Sequence, residues 1–150
     1  MNMTCPLCNS TATLFCEKPK HLFYKCDTCD GIFRPTHTFL TAEAEKEHYE
    51  KHNNDVFDER YQAFVSPIVN AVLHDFTAEA KGLDFGSGTG PVIAKMLTDK
   101  GFQVQNYDLF FANEPSLLQE KYDYVSCCEV MEHFHKPYKE FELLKSLLLP

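Results

Sequence analysis

The chain has 150 residues with 14 Lys/Arg against 22 Asp/Glu, so its size suits one domain with a small appendage and its net charge of −8 argues against a nucleic-acid binder. The imbalance is uneven: residues 1–36 carry four basic against three acidic side chains, residues 37–150 ten against nineteen. No apolar run is long enough to span a bilayer, and Met1-Asn2-Met3-Thr4 lacks the basic and apolar parts of a secretory signal, so a cytoplasmic location is expected.

Seven cysteines without a secretory signal point to metal binding rather than disulfides. Cys5-Pro6-Leu7-Cys8 and Cys26-Asp27-Thr28-Cys29 are separated by 17 residues, a spacing suited to tetrahedral zinc. Four thiolates would close the site, which makes it structural. Asn9 and Asp30-Gly31 follow the two pairs and tolerate the left-handed turns that metal knuckles need. Thr13–Cys16 and Leu22–Lys25 read as two short strands between them. A module of this size, residues 1–34, cannot bury enough apolar surface alone, so the metal must supply folding free energy. The competing readings are two chance Cys-x-x-Cys pairs or a redox dithiol, the latter disfavoured because neither pair opens a helix behind a strand. Cys16, Cys127 and Cys128 have no matching spacing and read as packing residues.

Residues 35–55 read as a linker with a short polar helix, its Glu43–Glu47 charge run a solvated face. From residue 56 the pattern becomes that of a larger domain. Tyr61, Phe64, Val65, Ile68, Val69, Val72, Leu73 and Phe76 make one buried helical stripe. Ser66-Pro67 interrupts it, predicting a kink or a second helix capped by Ser66. Lys81–Phe85 reads as a strand and Pro91–Lys100 as a helix with Val92, Ile93, Met96 and Leu97 inward, stopped by Gly101. Strands follow at Phe102–Tyr107 and Tyr122–Cys127. The last element is a helix over Pro137–Leu149 with Phe141, Leu144, Leu147 and Leu148 on one face. Strands alternating with helices predict an α/β domain with a parallel sheet and flanking helices.

The stretch Leu83-Asp84-Phe85-Gly86-Ser87-Gly88-Thr89-Gly90 carries the strongest chemical signal. Glycines placed this way let the backbone turn sharply after a strand and approach a ligand closely. Asp108 lies 18 positions beyond Gly90, where a carboxylate can accept hydrogen bonds from ribose hydroxyls. The pair reads as a site for an adenosine-containing cofactor. The dinucleotide fingerprint is G-x-G-x-x-G, whereas the spacing here is G-x-G-x-G with Asp84 two residues upstream. A carboxylate beside a pyrophosphate would be repelled, but one beside a cation is favoured. S-adenosylmethionine, with a sulfonium and an ammonium and no phosphate, fits this loop better than a nicotinamide dinucleotide. A glycine-rich turn that binds nothing is the bland alternative.

The glycine motif closely resembles motif I of class I S-adenosylmethionine-dependent methyltransferases, and the whole chain resembles bacterial members that carry an N-terminal zinc ribbon. The resemblance implies a Rossmann-like sheet with cofactor contacts at Asp84, Gly86, Ser87, Gly88, Thr89, Gly90, Asp108 and Cys128. It makes Cys127, Cys128 and Glu129 neighbours of the cofactor or acceptor. Tyr49, His52 and Asn54 match a Tyr-x-x-His-x-Asn stretch of the same proteins, expected to touch the cofactor pocket. Glu129-x-x-Glu132-His133 is similar to a pattern that binds a divalent cation in small-RNA and ubiquinone-pathway O-methyltransferases. On one helical turn those three side chains would share a face, with His135 a candidate further ligand, although a loop-shaping polar contact is the simpler reading. Glu129 or His133 would take the acceptor proton.

Two departures from the family pattern are evident. Only 13 residues separate Asp108 from Tyr122, so the usual third strand and helix are reduced or absent. The sequence stops at Leu147-Leu148-Leu149-Pro150, where the family continues into further strands. The expectation is therefore an incomplete methyltransferase fold whose last strand is an uncovered edge able to self-associate. A small-molecule acceptor is expected. The alternatives are a zinc-binding scaffold with an inactive methyltransferase half, or an RNA-modifying enzyme, for which the positive charge is lacking.

Overall fold

The computed structural model describes residues 2–51 and 55–150. At the N-terminus four antiparallel strands lie in the order β1-β2-β3-β4: β1 (Asn2–Thr4), β2 (Thr11–Lys18), β3 (His21–Cys26) and β4 (Ile32–Phe33). The two expected strands are present and longer than their apolar patterns. β1 and β4 were not anticipated, since two or three residues carry no alternation to read, and their pairing follows from the knuckles beside them. Cys5, Ala12, Tyr24 and Cys26 make the whole buried core of this unit.

Thr41 caps helix α1 (Ala42–Glu50) by accepting a hydrogen bond from the Ala44 amide at 3.3 Å. Helix α2 (Glu59–Asp75) runs unbroken through Pro67. The expectation of a second helix capped by Ser66 is corrected by one hydrogen bond. Pro67 lacks the N–H that would reach the Ala63 carbonyl, and the Ser66 hydroxyl donates to that carbonyl instead, at 2.7 Å. Val65, Val69 and Val72 are the fully buried part of its stripe. Phe64 is 55% exposed, because it leaves the core to line the cavity described below.

The second sheet is parallel, with order β6-β5-β7: β5 (Lys81–Phe85) is central, β6 (Gln103–Tyr107) and β7 (Tyr124–Ser126) flank it. Helix α3 (Val92–Thr98) joins β5 to β6, and Gly101 ends the connection at φ +88°. Alternation along β5 separates two cores. Leu83 and Phe85 pack with Tyr107, Tyr122, Phe134 and helix α4 (Pro137–Leu147). Gly82 and Asp84 face the other side, where Tyr124 joins α2 and α3. A Cβ on Gly82 would fall 2.2 Å from the Tyr124 ring, so the ring needs glycine beneath it.

Between β6 and β7 the chain makes only a bridge from Asp108 to Ala112 and a short 3-10 helix, Pro115–Gln119. β7 is an edge strand of the sheet. After α4 the backbone returns only as far as a single bridge ahead of β7, the Tyr122 amide donating to the Leu147 carbonyl at 2.8 Å and the Leu149 amide to the Tyr122 carbonyl at 2.9 Å. Leu144 and Leu147 are buried as expected, whereas Phe141 and Leu148 remain partly exposed, at 38% and 41%.

Candidate functional site

The four cysteines Cys5, Cys8, Cys26 and Cys29 converge, their sulfurs all within 4.8 Å of one another. Asn9 and Asp30 adopt φ of 60° and 57°, the left-handed turns expected after each pair. The Thr28 and Cys29 amides point at Cys26 Sγ at 3.4 and 3.5 Å, donors suited to a thiolate. Hydrogen bonds from Ser10 lower the Cys8 thiol to about 6. At Cys29 a Gly31 backbone bond works the other way, but burial and the neighbouring sulfurs prevail and push that thiol up to about 12. Crowded sulfurs sharing their protons are what a cation would resolve, and the donor set fits a soft divalent metal.

The larger site lies at the carboxyl ends of β5, β6 and β7; the sheet order reverses between β5 and β7, the place where ligands of parallel sheets bind. A cavity of about 770 Å³ opens there, within the usual range for small-molecule pockets. Its floor is the loop after β5. Gly86 and Gly88 sit at φ +77° and +67°, and the Gly86 and Ser87 amides donate to the Tyr107 carbonyl at 2.7 and 3.2 Å. A Cβ on Gly86 would fall 2.3 Å from Val130, so glycine here lets the post-β7 segment close over the loop.

Of the expected cofactor contacts, Gly86, Ser87, Gly88, Thr89, Asp108 and Cys128 line this cavity, with Glu129 and His133 opposite. Asp84 and Gly90 do not. Asp84 is buried beneath the loop, where its Oδ1 accepts from the Ser126 hydroxyl at 2.9 Å and its carboxylate takes the Ala94 amide. Burial raises its pKa to about 6 against those two bonds, with the Asp108 charge adding to the rise. Asp84 therefore ties β5 to β7 and to α3. Asp108 is also engaged: Oδ2 accepts from Gly88 at 2.8 Å and Oδ1 from Phe110 and Phe111 at 2.9 and 3.1 Å. A carboxylate offers about four lone-pair directions, so one is left for a ligand.

The expectation of Glu129, Glu132 and His133 on one helical turn is corrected. Glu129 is left-handed at φ 53°, and the helical turn spans only Met131–His133. The Glu132 and His133 side chains lie 3.8 Å apart, but among the described residues only the four cysteines cluster as metal ligands. His135, the candidate further ligand, instead meets Glu45 at 3.0 Å. Glu43, Lys46 and Glu47 of the charge run are exposed as expected, but Glu45 is the exception: its side chain is only 17% exposed, and α1 walls the cavity. Burial pushes Cys127 up to about 12 and raises Cys128, so neither thiol is an activated nucleophile.

Tyr49 lines the cavity as expected; His52 and Asn54 lie outside the described residues. Its ring stands edge-on to His133 with centroids 5.6 Å apart, and burial beside Glu45, Glu132 and Asp108 raises the phenol to about 12, which keeps its proton. Glu45, Tyr61, Phe64, Phe110 and Phe134 also line the cavity and were not anticipated as site residues. Phe110 and Phe111, two and three residues after Asp108, were the readable signal, because two aromatics behind a strand-end acid have no core pattern to serve. No curated protein matches this chain. The family model described as a methyltransferase domain matches residues 57–150, the span that contains the parallel sheet and the glycine loop, and the chain belongs to that family.

Proposed function

We propose that this chain is an S-adenosylmethionine-dependent methyltransferase of class I, acting on a small molecule, with zinc held structurally by Cys5, Cys8, Cys26 and Cys29. The observation that carries this reading is the strand-end cavity floored by two left-handed glycines and lined by the acids Asp108 and Glu129. Those features suit a cation with an adenosine tail and disfavour a pyrophosphate.

When bound, S-adenosylmethionine supplies an electrophilic methyl on a sulfonium sulfur. The Gly86–Gly88 backbone would hold the methionine end, and the free direction of Asp108 would accept from the ribose. Residues of the two walls align the acceptor, which needs its reacting atom roughly 3–3.5 Å from the methyl. That methyl would go to the acceptor's lone pair, the donor's sulfur keeping the electrons of the old carbon–sulfur bond. The acceptor proton passes to His133 or Glu129, both at the cavity surface, a base being worth roughly 10²–10⁴-fold. Tyr49, which keeps its own proton, can donate to the acceptor but cannot deprotonate it.

One observation favours a second reading. Asp108 is held by three backbone amides, as it would be in a scaffold whose methyltransferase half binds nothing. Calorimetric titration with S-adenosylhomocysteine and with NAD separates the readings. Binding of S-adenosylhomocysteine alone, weakened about tenfold or more by Asp108→Ala, is the expected result. Binding of NAD alone, or of neither, refutes the proposal.

A further inference from the structure

A second cavity of about 670 Å³ adjoins the first, and the two share Glu45, His48, Tyr49, His133 and Phe134 as a common wall. Its other side is built by the cysteine module, with Phe23 on β3, Phe33 on β4 and then Arg34. Arg34 is the only Lys or Arg among its lining residues. Its Nε is buried and has no hydrogen-bond partner among the described residues, and no carboxylate pairs with it there. Two acids share the lining, Glu45 within 3.0 Å of His135 and Glu132 within 3.8 Å of His133. A guanidinium presents a planar fork of donors that matches a carboxylate or phosphate, and a buried donor left empty is unfavourable until such a group arrives.

We infer that this second cavity is the acceptor site and takes a small molecule with an apolar body and an anionic head, carboxylate or phosphate, bound by Arg34. The body lies along Phe23 and Phe33, and the reacting atom meets the donor at the shared wall of Tyr49 and His133. The cysteine module is thus an acceptor-binding surface, since the pairing of β3 with β4 positions Arg34. Acceptance at this site rests on the methyl-donor reading; capture of the anion does not.

The test uses the full zinc-loaded chain and three probes, titrated by ligand-observed NMR and calorimetry: 4-hydroxycinnamate, phenyl phosphate and the neutral 4-hydroxycinnamamide. At least one anion should bind about tenfold or more tighter than the amide, and the better head identifies carboxylate or phosphate. Arg34→Gln should abolish that preference and leave S-adenosylhomocysteine affinity unchanged; Arg34→Lys should recover part of it. Removing zinc with a chelator should lose the anion. Equal binding of amide and anions, no binding of any probe at millimolar concentration, or an unchanged preference in Arg34→Gln overturns the inference. The amide comparison on the parent chain decides the matter even if the variant does not fold. S-adenosylhomocysteine binding without anion binding overturns the Arg34 assignment alone, whereas anion binding without S-adenosylhomocysteine binding removes the acceptor role together with the donor reading.

Discussion

Replacing Gly86 with alanine tests the geometry of the loop most directly. The backbone there has φ +77°, a left-handed conformation that costs a residue with a Cβ roughly 1–2 kcal/mol. The new Cβ would also lie 2.3 Å from Val130 Cγ2 and 2.9 Å from Cγ1, nearer than packed carbons approach. Moving the loop or the post-β7 segment apart to relieve that overlap costs roughly 1–3 kcal/mol more. Gly86→Ala should therefore destabilise the chain by about 2–5 kcal/mol and open the cavity floor. Val130→Ala removes both offending methyls and leaves Cβ, which lies 3.2 Å away. The double variant should recover the steric share, roughly 1–3 kcal/mol, and keep the backbone share. Urea unfolding of the four proteins of this cycle, with midpoints compared at constant slope, gives the coupling energy. Gly86→Ala within about 0.5 kcal/mol of the parent, or additivity of the two substitutions, would refute the close-approach argument.

Two further outcomes follow from buried polar groups. Asp84 has its carboxyl raised from 3.8 to about 6 in the folded state, so the stability it contributes is fully present below 3.8 and is lost as the pH climbs through about 6. The gap amounts to about 3 kcal/mol, and Asp84→Asn should gain that much relative to the parent between about pH 4 and pH 7, with a pH-independent difference in urea midpoint counting against it. Tyr124 buries its hydroxyl with no partner among the described residues, so Tyr124→Phe should raise stability by about 1 kcal/mol; a loss would mean that the hydroxyl is satisfied in solution.

The cysteine pairs and the glycine loop were legible because local chemistry alone demands them. Two Cys-x-x-Cys pairs mean little except as a metal set, and the left-handed turns at Asn9 and Asp30 follow from the knuckles. Elements with their own periodicity were equally readable: β5 spans Lys81–Phe85 as its apolar run predicts, and α2 follows its stripe. Contacts between distant segments were not. Whether Asp84 faces a ligand or Ser126 depends on β7, 42 residues away, and the meeting of Glu45 with His135 spans 90 residues. Nothing in a charged helix announces that its Glu45 and Tyr49 will wall a cavity.

Residues close together in the chain fix the four-cysteine set, the strand–loop–helix framework at the cavity floor and the acid that follows β6. Tertiary structure alone decided which carboxylates face the cavity, which are spent on backbone amides, and where Arg34 lies. Those outcomes depend on the register of β5 with its two neighbours and on how the cysteine module meets α1. Register and docking are set by summed burial across many residues, a quantity that no single motif encodes.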